Sequence, residues 1–366
     1  MRIIYDHQAT SLQDEGGISR YYYQLVKGLL GKSEIDISLL LGLNHSIYPY
    51  RDLASRHCRI VSLRSPILKT GHFRYLVNDV ISNAAASISG KFDVYHATVH
   101  RCLPLVRSNA IVATHHDFTQ ERFPSMFAHM ATRRRIKTKQ FARVDAIICV
   151  SEHSRNDLLR FYEVQPEKTH VIHLGITKME SGDLPKTMTA KSPYILYVGS
   201  RMFYKNFLGF LRAFRISRLD KDFSILCAGG GNFSAEESKV IQDEGLEARI
   251  TLFPRVSERE LGALYSHAHL LVYPSKSEGF GIPPLEAMSM GVVPAVSNAT
   301  SIPEVCQDAA IYFDPYSMDS MVNALQRACY DTSMREDVRQ KGKIVTARYS
   351  WEKCARETLE VYRSLG

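Results

Sequence analysis

The stretch Ser277-Glu278-Gly279-Phe280-Gly281-Ile282-Pro283-Pro284-Leu285-Glu286-Ala287-Met288 decides how this chain is read. An apolar run, residues 269–273, leads into it and predicts a buried strand. Pro283-Pro284 suits the first turn of a short helix, where a missing N–H leaves nothing orphaned. Gly291 suits the turn that ends that helix. The pattern therefore sets Glu278 on a loop at a strand's carboxyl end and Glu286, eight residues on, inside the helix. Gly279 and Gly281 let backbone N–H groups come close to a ligand, and the helix N-terminus favours an anion. Phosphate donors at the floor and two carboxylates at the rim imply a ligand with both phosphates and hydroxyls, as in a nucleotide-sugar. A surface loop beside a solvated helical glutamate is the plain alternative for either residue alone; the strand–loop–helix context argues against it for the pair.

Working outward, 366 residues at about 150 per domain predict two domains. The 45% apolar and 23% charged content is that of an ordinary globular protein. No apolar run is long enough to span a membrane, and residues 1–7 enter a strand directly without a signal-peptide pattern. Seven scattered cysteines without a Cys-x-x-Cys pair predict a reduced, cytoplasmic protein with no zinc site. Residues 1–180 hold 24 Lys+Arg against 16 Asp+Glu, whereas residues 181–366 hold 22 of each. The excess gathers in residues 51–74 and in Arg133–Arg143, the latter just after Phe123, Met126, Phe127 and Met130. Such a mixture suits an anionic membrane surface, with the chain peripheral to it; a solvated helix face is the alternative. No recognition motif supports nucleic acid as the partner.

Strands are expected at 3–5, 37–43, 94–96, 110–114, 146–150 and 170–173, with helices at 17–30 and 151–161. The polar segment 181–191 reads as a linker. Alternation then restarts, with strands at 194–198, 224–228, 250–253, 270–273 and 292–296. A helix begins near Ser257, where Ser257-x-x-Glu260 is a capping box, and further helices are expected at 317–330, 333–349 and 351–365. This predicts an α/β chain of two doubly wound, Rossmann-like domains, 1–181 and 192–349, facing a cleft at their strands' carboxyl ends.

Other motifs fall at those ends. Ser200, Arg201 and Lys205 follow strand 194–198, where a lysine can neutralise a diphosphate leaving group and an arginine can add a bidentate contact. Gly16-Gly17 opens a helix after the first strand. Gly229-Gly230-Gly231 lacks the rest of the dinucleotide fingerprint and reads as a turn. His115 and His116 end strand 110–114, where an imidazole can bond a sugar hydroxyl. His96-x-x-x-His100 has metal-like spacing, but it leaves a strand and not a helix. Asp220-Lys221-Asp222, the only Asp-x-Asp, precedes a strand and reads as a turn, so no metal or other cofactor is expected.

With these residues in hand, the chain resembles the retaining GT-B glycosyltransferases of family 4, over nearly its whole length. Glu278–Glu286 matches that family's Glu-x7-Glu motif, and Ser301-Ile302-Pro303-Glu304-Val305, residues 310–315, residues 150–155 and the Gly16-Gly17 loop also fit. The resemblance implies that Glu286 binds the donor ribose and Glu278 the donor sugar, with amides of Gly279, Phe280, Gly281 and Ile282 holding sugar and phosphate. It implies a diphosphate role for Lys205, a place facing the transferred sugar for His116, and a last helix, 350–366, that packs back on the first domain. One departure stands out: the family's arginine directly after the glycine at 199 is Ser200 here, with Arg201 one place later. The subgroup resembled includes mannosyltransferases of surface-polysaccharide assembly, lipopolysaccharide O-antigen included. The expected function is therefore retaining hexosyl transfer, GDP-mannose first among donors, to a saccharide or lipid-linked saccharide. A GT-B glycan phosphorylase and a non-catalytic membrane-surface scaffold are the alternatives.

Overall fold

A computed structural model describes residues 1–31, 34–63, 72–182, 184 and 193–366. Most of the expected linker, 181–191, lies outside the described residues, as do Arg64 and Lys69 of the first basic stretch. The chain divides into two compact units, Met1–Gly175 with Ser350–Gly366, and Ile176–Tyr349.

The first unit carries β1 (Arg2–Tyr5), β2 (Asp36–Leu43), β3 (Cys58–Leu63), β4 (Phe92–Ala97), β5 (Ser108–His115), β6 (Ala146–Cys149) and β7 (Thr169–Val171). They form one parallel sheet in the order β3-β2-β1-β4-β5-β6-β7. The second unit carries β8 (Tyr194–Val198), β9 (Ser224–Ala228), β10 (Ile250–Phe253), β11 (Leu270–Tyr273), β12 (Pro294–Ser297) and β13 (Ile311–Phe313). Their parallel order is β10-β9-β8-β11-β12-β13. Strand order reverses between β1 and β4 and between β8 and β11, the places where a doubly wound sheet opens to ligand at its carboxyl ends.

Central strands are apolar without alternation because helices cover both faces. β6 and β11 are buried at all four residues. The edge strands β3 and β13 were missed in the sequence for the converse reason: one is half-exposed and carries Arg59, the other is three residues long. Strand 292–296 is displaced to Pro294–Ser297, since Val292 closes the turn after the preceding helix by donating to Ala287 O. Ser257 accepts from the Glu260 N–H while Glu260 accepts from the Ser257 N–H, so the capping box starts helix Glu258–His267 where the sequence sets it.

The terminal helix Trp351–Ser364 belongs to the first unit. It lies so close to helix Gly17–Leu29 that a Cβ on Gly28 would sit 2.7 Å from that of Ala355. A Cβ on Gly175 would sit 2.3 Å from the Trp351 backbone nitrogen. The fully buried Tyr362 hydroxyl meets Tyr5 OH at 2.8 Å and also bonds His96 Nδ1, and His96 Nε2 meets Thr114 Oγ1 at 2.9 Å. Both nitrogens of that histidine are therefore engaged within the fold.

Candidate active site

The β8/β11 reversal point gathers the charged residues predicted for the donor. After β8 the chain turns through Gly199 at φ 110°, and the turn Phe203–Lys205 ends at Asn206, a left-handed residue that starts helix Phe207–Ile216. After β11 it runs through Ser275–Glu278 into helix Ile282–Ser289. The two loops are joined where the Lys276 N–H donates to Tyr204 O at 2.7 Å. Lys205 Nζ then lies 2.7 Å from Glu278 Oε1, with side-chain exposures of 17% and 11%. Rings of Tyr204 and Tyr273 flank the ammonium at 5.3 and 5.6 Å. Burial, followed by the charge and hydrogen bond of Glu278, pushes the Tyr273 phenol well above its usual range.

The Glu278 loop is held from outside by a segment whose role the sequence did not reveal. Its N–H donates to Thr300 Oγ1 at 3.0 Å, and the Ser301 hydroxyl reaches the carbonyls of Glu278 and Phe280 at 3.0 and 3.1 Å. Thr300 adopts φ 55°, a left-handed conformation uncommon for a β-branched residue, and so marks a strained turn behind the loop. Gly281, at φ 103°, starts the helix, and a Cβ there would meet Ile302 Cδ1 at 2.6 Å. Pro283 and Pro284 carry no N–H, so the open first-turn donors are Gly281 and Ile282. Glu286 is 2% exposed and accepts from Tyr265 OH at 3.0 Å. Tyr265, on the helix that Ser257 caps, is a second residue that periodicity marks only as core.

Arg201 is engaged elsewhere in the same unit. Its guanidinium meets Glu237 Oε1 at 3.0 Å and donates to the carbonyls of Gly229, Gly231 and Asn232 at 2.8–2.9 Å, stacked 5.0 Å from the Phe233 ring. Gly229, Gly230 and Gly231 all have positive φ, and with Gly230 O at 3.4 Å the four successive carbonyls of 229–232 turn toward this one cation. The triplet is thus a turn, as its sequence suggests. Ser200 presents its carbonyl to Tyr197 OH at 2.8 Å.

His116 and Gly17 lie in the other unit. Gly17 is the first residue of helix Gly17–Leu29, and a Cβ there would meet nothing within 4 Å. The His116 ring stands edge-on to Tyr21, one turn further along that helix, at 5.1 Å. Burial pulls its imidazole down to about 4, so it is neutral near pH 7. Its Nε2 is buried and has no hydrogen-bond partner among the described residues.

Of the basic stretch Arg133–Arg143, Lys137 is buried against Glu121 at 2.8 Å, and Arg134 donates to Phe161 O at 3.1 Å. Among the neighbouring apolar residues Met126 is exposed, while Phe123, Phe127 and Met130 are half-buried. Asp220 pairs with Arg215, and Asp222 accepts from Tyr330 OH, both at the amino end of β9. Among the described residues no three His, Cys, Asp or Glu side chains are grouped to hold a metal, and no helix is long and apolar enough to cross a membrane.

Comparison with known proteins agrees with this architecture. The profile of "Glycosyltransferase Family 4" matches residues 15–178, and that of "Glycosyl transferases group 1" matches residues 185–345. O-antigen chain mannosyltransferase B of Escherichia coli is 29% identical over 373 residues, covering 95% of this chain and 96% of that one. Sucrose-phosphate synthase from Thermosynechococcus elongatus superposes with a TM-score of 0.77 at 20% identity, covering 100% of this chain and 98% of that one. WaaG, a glycosyltransferase involved in lipopolysaccharide biosynthesis, gives 0.75 at 12% identity over 99% of both. With its two parallel α/β units each matched by a glycosyltransferase profile, the chain belongs to the GT-B glycosyltransferases, with a family 4 region followed by a group 1 region.

Proposed function

We propose that this chain transfers mannose from GDP-mannose to a lipid-linked saccharide, with retention of anomeric configuration, during assembly of a surface polysaccharide at the cytoplasmic face of a membrane. The observation that carries the reading is the Lys205–Glu278 pair beside the start of helix Ile282–Ser289. A cation and first-turn amides suit a diphosphate, and a carboxylate beside them suits sugar hydroxyls. The mannosyl assignment is supported by the name of the Escherichia coli relative.

In this reading Glu286 grips the ribose, Glu278 the sugar, and amides of Gly279, Phe280, Gly281 and Ile282 hold sugar and phosphate. Glu278 is tied to Lys205, and Glu286 is buried against Tyr265, so the two carboxylates serve as acceptors for hydroxyls and not as a general acid–base pair. Retention then follows a front-face path. The bond from the anomeric carbon to the diphosphate breaks as the bond to the acceptor oxygen forms on the same face. The departing phosphate oxygen takes the acceptor proton. Lys205 and the helix amides stabilise the charge on the diphosphate, with no metal required. Neutral His116 offers a hydrogen bond to a sugar hydroxyl, and the open approach over Gly17 admits a ligand close to the backbone. Ser200 stands where the diphosphate arginine is expected. Arg201, held by the glycine turn, takes a shaping role in our reading.

Release of GDP from GDP-mannose, measured with a polyprenyl-diphosphate-linked saccharide acceptor in the presence of EDTA, tests the reading. The expected product keeps the donor's α configuration by proton NMR. Preference for a uridine or adenosine donor, an inverted product, or complete loss of turnover with EDTA would each remove the corresponding part.

A further inference from the structure

Helix His72–Ile88 has its polar side inward and its apolar side outward. Arg74, Asn78 and Ser82, spaced four apart, are at most 3% exposed. Arg74 donates to Asp14 Oδ1 and to Ser11 O, each at 2.7 Å. Asn78 donates to Ser11 Oγ at 2.7 Å and accepts from the Leu43 N–H at 2.6 Å. Tyr75 OH donates to Gln8 Oε1 at 2.7 Å, and Asp79 pairs with both His7 and Arg101. The opposite side presents Phe73 at 62% exposure, Leu76 at 58%, Val80 at 70% and Ile88 at 81%, with Ala84 exposed between them. Steps of three and four keep these five residues on one line along the helix. Leu105, also exposed, donates its N–H to Asn83 Oδ1 and widens the strip.

A helix on the surface of a water-soluble protein places its polar residues outward; here the polar residues face inward and an apolar strip faces outward, and that inversion is what marks a contact surface. Charge selects the occupant. Asp79 is the only acidic residue from 72 to 88, and it is 18% exposed beneath Arg101. Arg101 flanks the strip, stacked 4.8 Å from the Tyr75 ring, and Lys91 and Arg107 are exposed just beyond Ile88 and Leu105. Area argues against a second copy. The fifteen steps from Phe73 to Ile88, at about 1.5 Å each, give a strip about 22 Å long and one helix wide, on the order of 200–300 Å², well short of about 800 Å² per partner in a stable dimer.

We infer that helix His72–Ile88 lies in the interface of an anionic membrane, with Phe73, Leu76, Val80 and Ile88 toward the acyl chains and Arg101, Lys91 and Arg107 toward the headgroups. The inference rests on the proposed function for its purpose, delivery of a lipid-linked acceptor, but its measurement needs no turnover. Its inward contacts give it reach into the fold: Arg74, Tyr75, Asn78 and Asp79 hold residues 7–14, the segment that leads to Gly16-Gly17.

The test is co-sedimentation of the full chain with vesicles of phosphatidylcholine containing phosphatidylglycerol. Phe73→Ser/Leu76→Ser/Val80→Ser is compared with Arg133→Gln/Arg134→Gln/Arg135→Gln, and melting temperatures confirm that each is folded. The serine variant should bind these vesicles about 10²-fold more weakly than the parent, the scale of removing several apolar anchors, while the glutamine variant keeps most of its affinity. GDP release with a short soluble acceptor should be unchanged in the serine variant. Equal vesicle affinity in the serine variant and the parent overturns the inference, as does loss confined to the glutamine variant. A parent dimer that ignores vesicles and that the serine variant splits, seen by light scattering, also overturns it, in favour of a second copy. Vesicle binding lost in the serine variant, in a parent that turns over no mannosyl donor, would sustain this inference while removing the proposed function.

Discussion

Lys205 Nζ and Glu278 Oε1 lie 2.7 Å apart on loops that leave β8 and β11, the two strands between which the sheet order reverses. Both charges are mostly buried, at 17% and 11% side-chain exposure, so each offsets part of the other's desolvation.

Lys205→Ala is therefore expected to do two separable things. It removes the cation that meets the leaving diphosphate, and kcat/KM should fall by about 10²-fold or more. It also leaves Glu278 without its cation, lowering stability. Adding Glu278→Ala should recover stability without recovering turnover, because it removes the stranded carboxylate. Near-parental turnover in Lys205→Ala, or a double variant less stable than the single one, would contradict this account.

Arg201 separates shaping from substrate binding. Its guanidinium compensates Glu237 and the four carbonyls of the turn 229–232, so Arg201→Ala should destabilise the fold by about 3 kcal/mol. Arg201→Lys should recover little, since one ammonium cannot replace a planar fork with donors in several directions. The KM for donor should stay within a few-fold of the parent. A large rise in KM at an unchanged melting temperature would instead put Arg201 on the diphosphate.

How far the site could be read beforehand follows from the kind of contact involved. The positions of Glu278 and Lys205 were legible because each follows an apolar strand closely, and that of Glu286 because Pro283-Pro284 starts a helix around it. The contacts of Thr300 and Ser301 were not, although Ser301 opens a matching motif, since they act on a loop more than twenty residues away through one amide and two backbone carbonyls. Arg201 was legible in position but not in direction: nothing in Ser200-Arg201 announces three left-handed glycines after β9. Helix His72–Ile88 escaped because its pattern is inverted, with buried Arg74, Asn78 and Ser82 where apolar residues are expected. Buried polar faces depend on partners such as Ser11 and Asp14, which only the folded chain brings near.

Acid should weaken the fold in a defined window. Burial pulls His96 and His100 down to about 3 and His116 to about 4, and it also lowers His115. In the unfolded chain these groups take up protons near 6.5, whereas the folded chain holds them neutral well below that. The unfolded state thus binds more protons throughout that interval, and stability rises with pH there. The contribution is fully present above about 6.5 and is lost progressively as pH falls toward 4. Melting temperature should drop steadily between pH 7 and pH 5, before most carboxylates titrate. A flat profile over that range would show that these imidazoles are not held neutral by the fold.

The packing of the terminal helix can be tested by moving one methyl group. A Cβ on Gly28 would stand 2.7 Å from Ala355 Cβ, where carbon atoms in contact normally keep about 3.5–4.0 Å. Gly28→Ala gains helix propensity of about 1 kcal/mol but forces the two helices apart, a cost of about 1–3 kcal/mol. Ala355→Gly loses the same propensity and a buried methyl. In Gly28→Ala/Ala355→Gly the propensities cancel, and the methyl now crosses the same gap from the other side. The double variant should therefore lie within about 1 kcal/mol of the parent and above the sum of the single effects by denaturant unfolding. Strictly additive losses would mean that the helices do not meet at this pair.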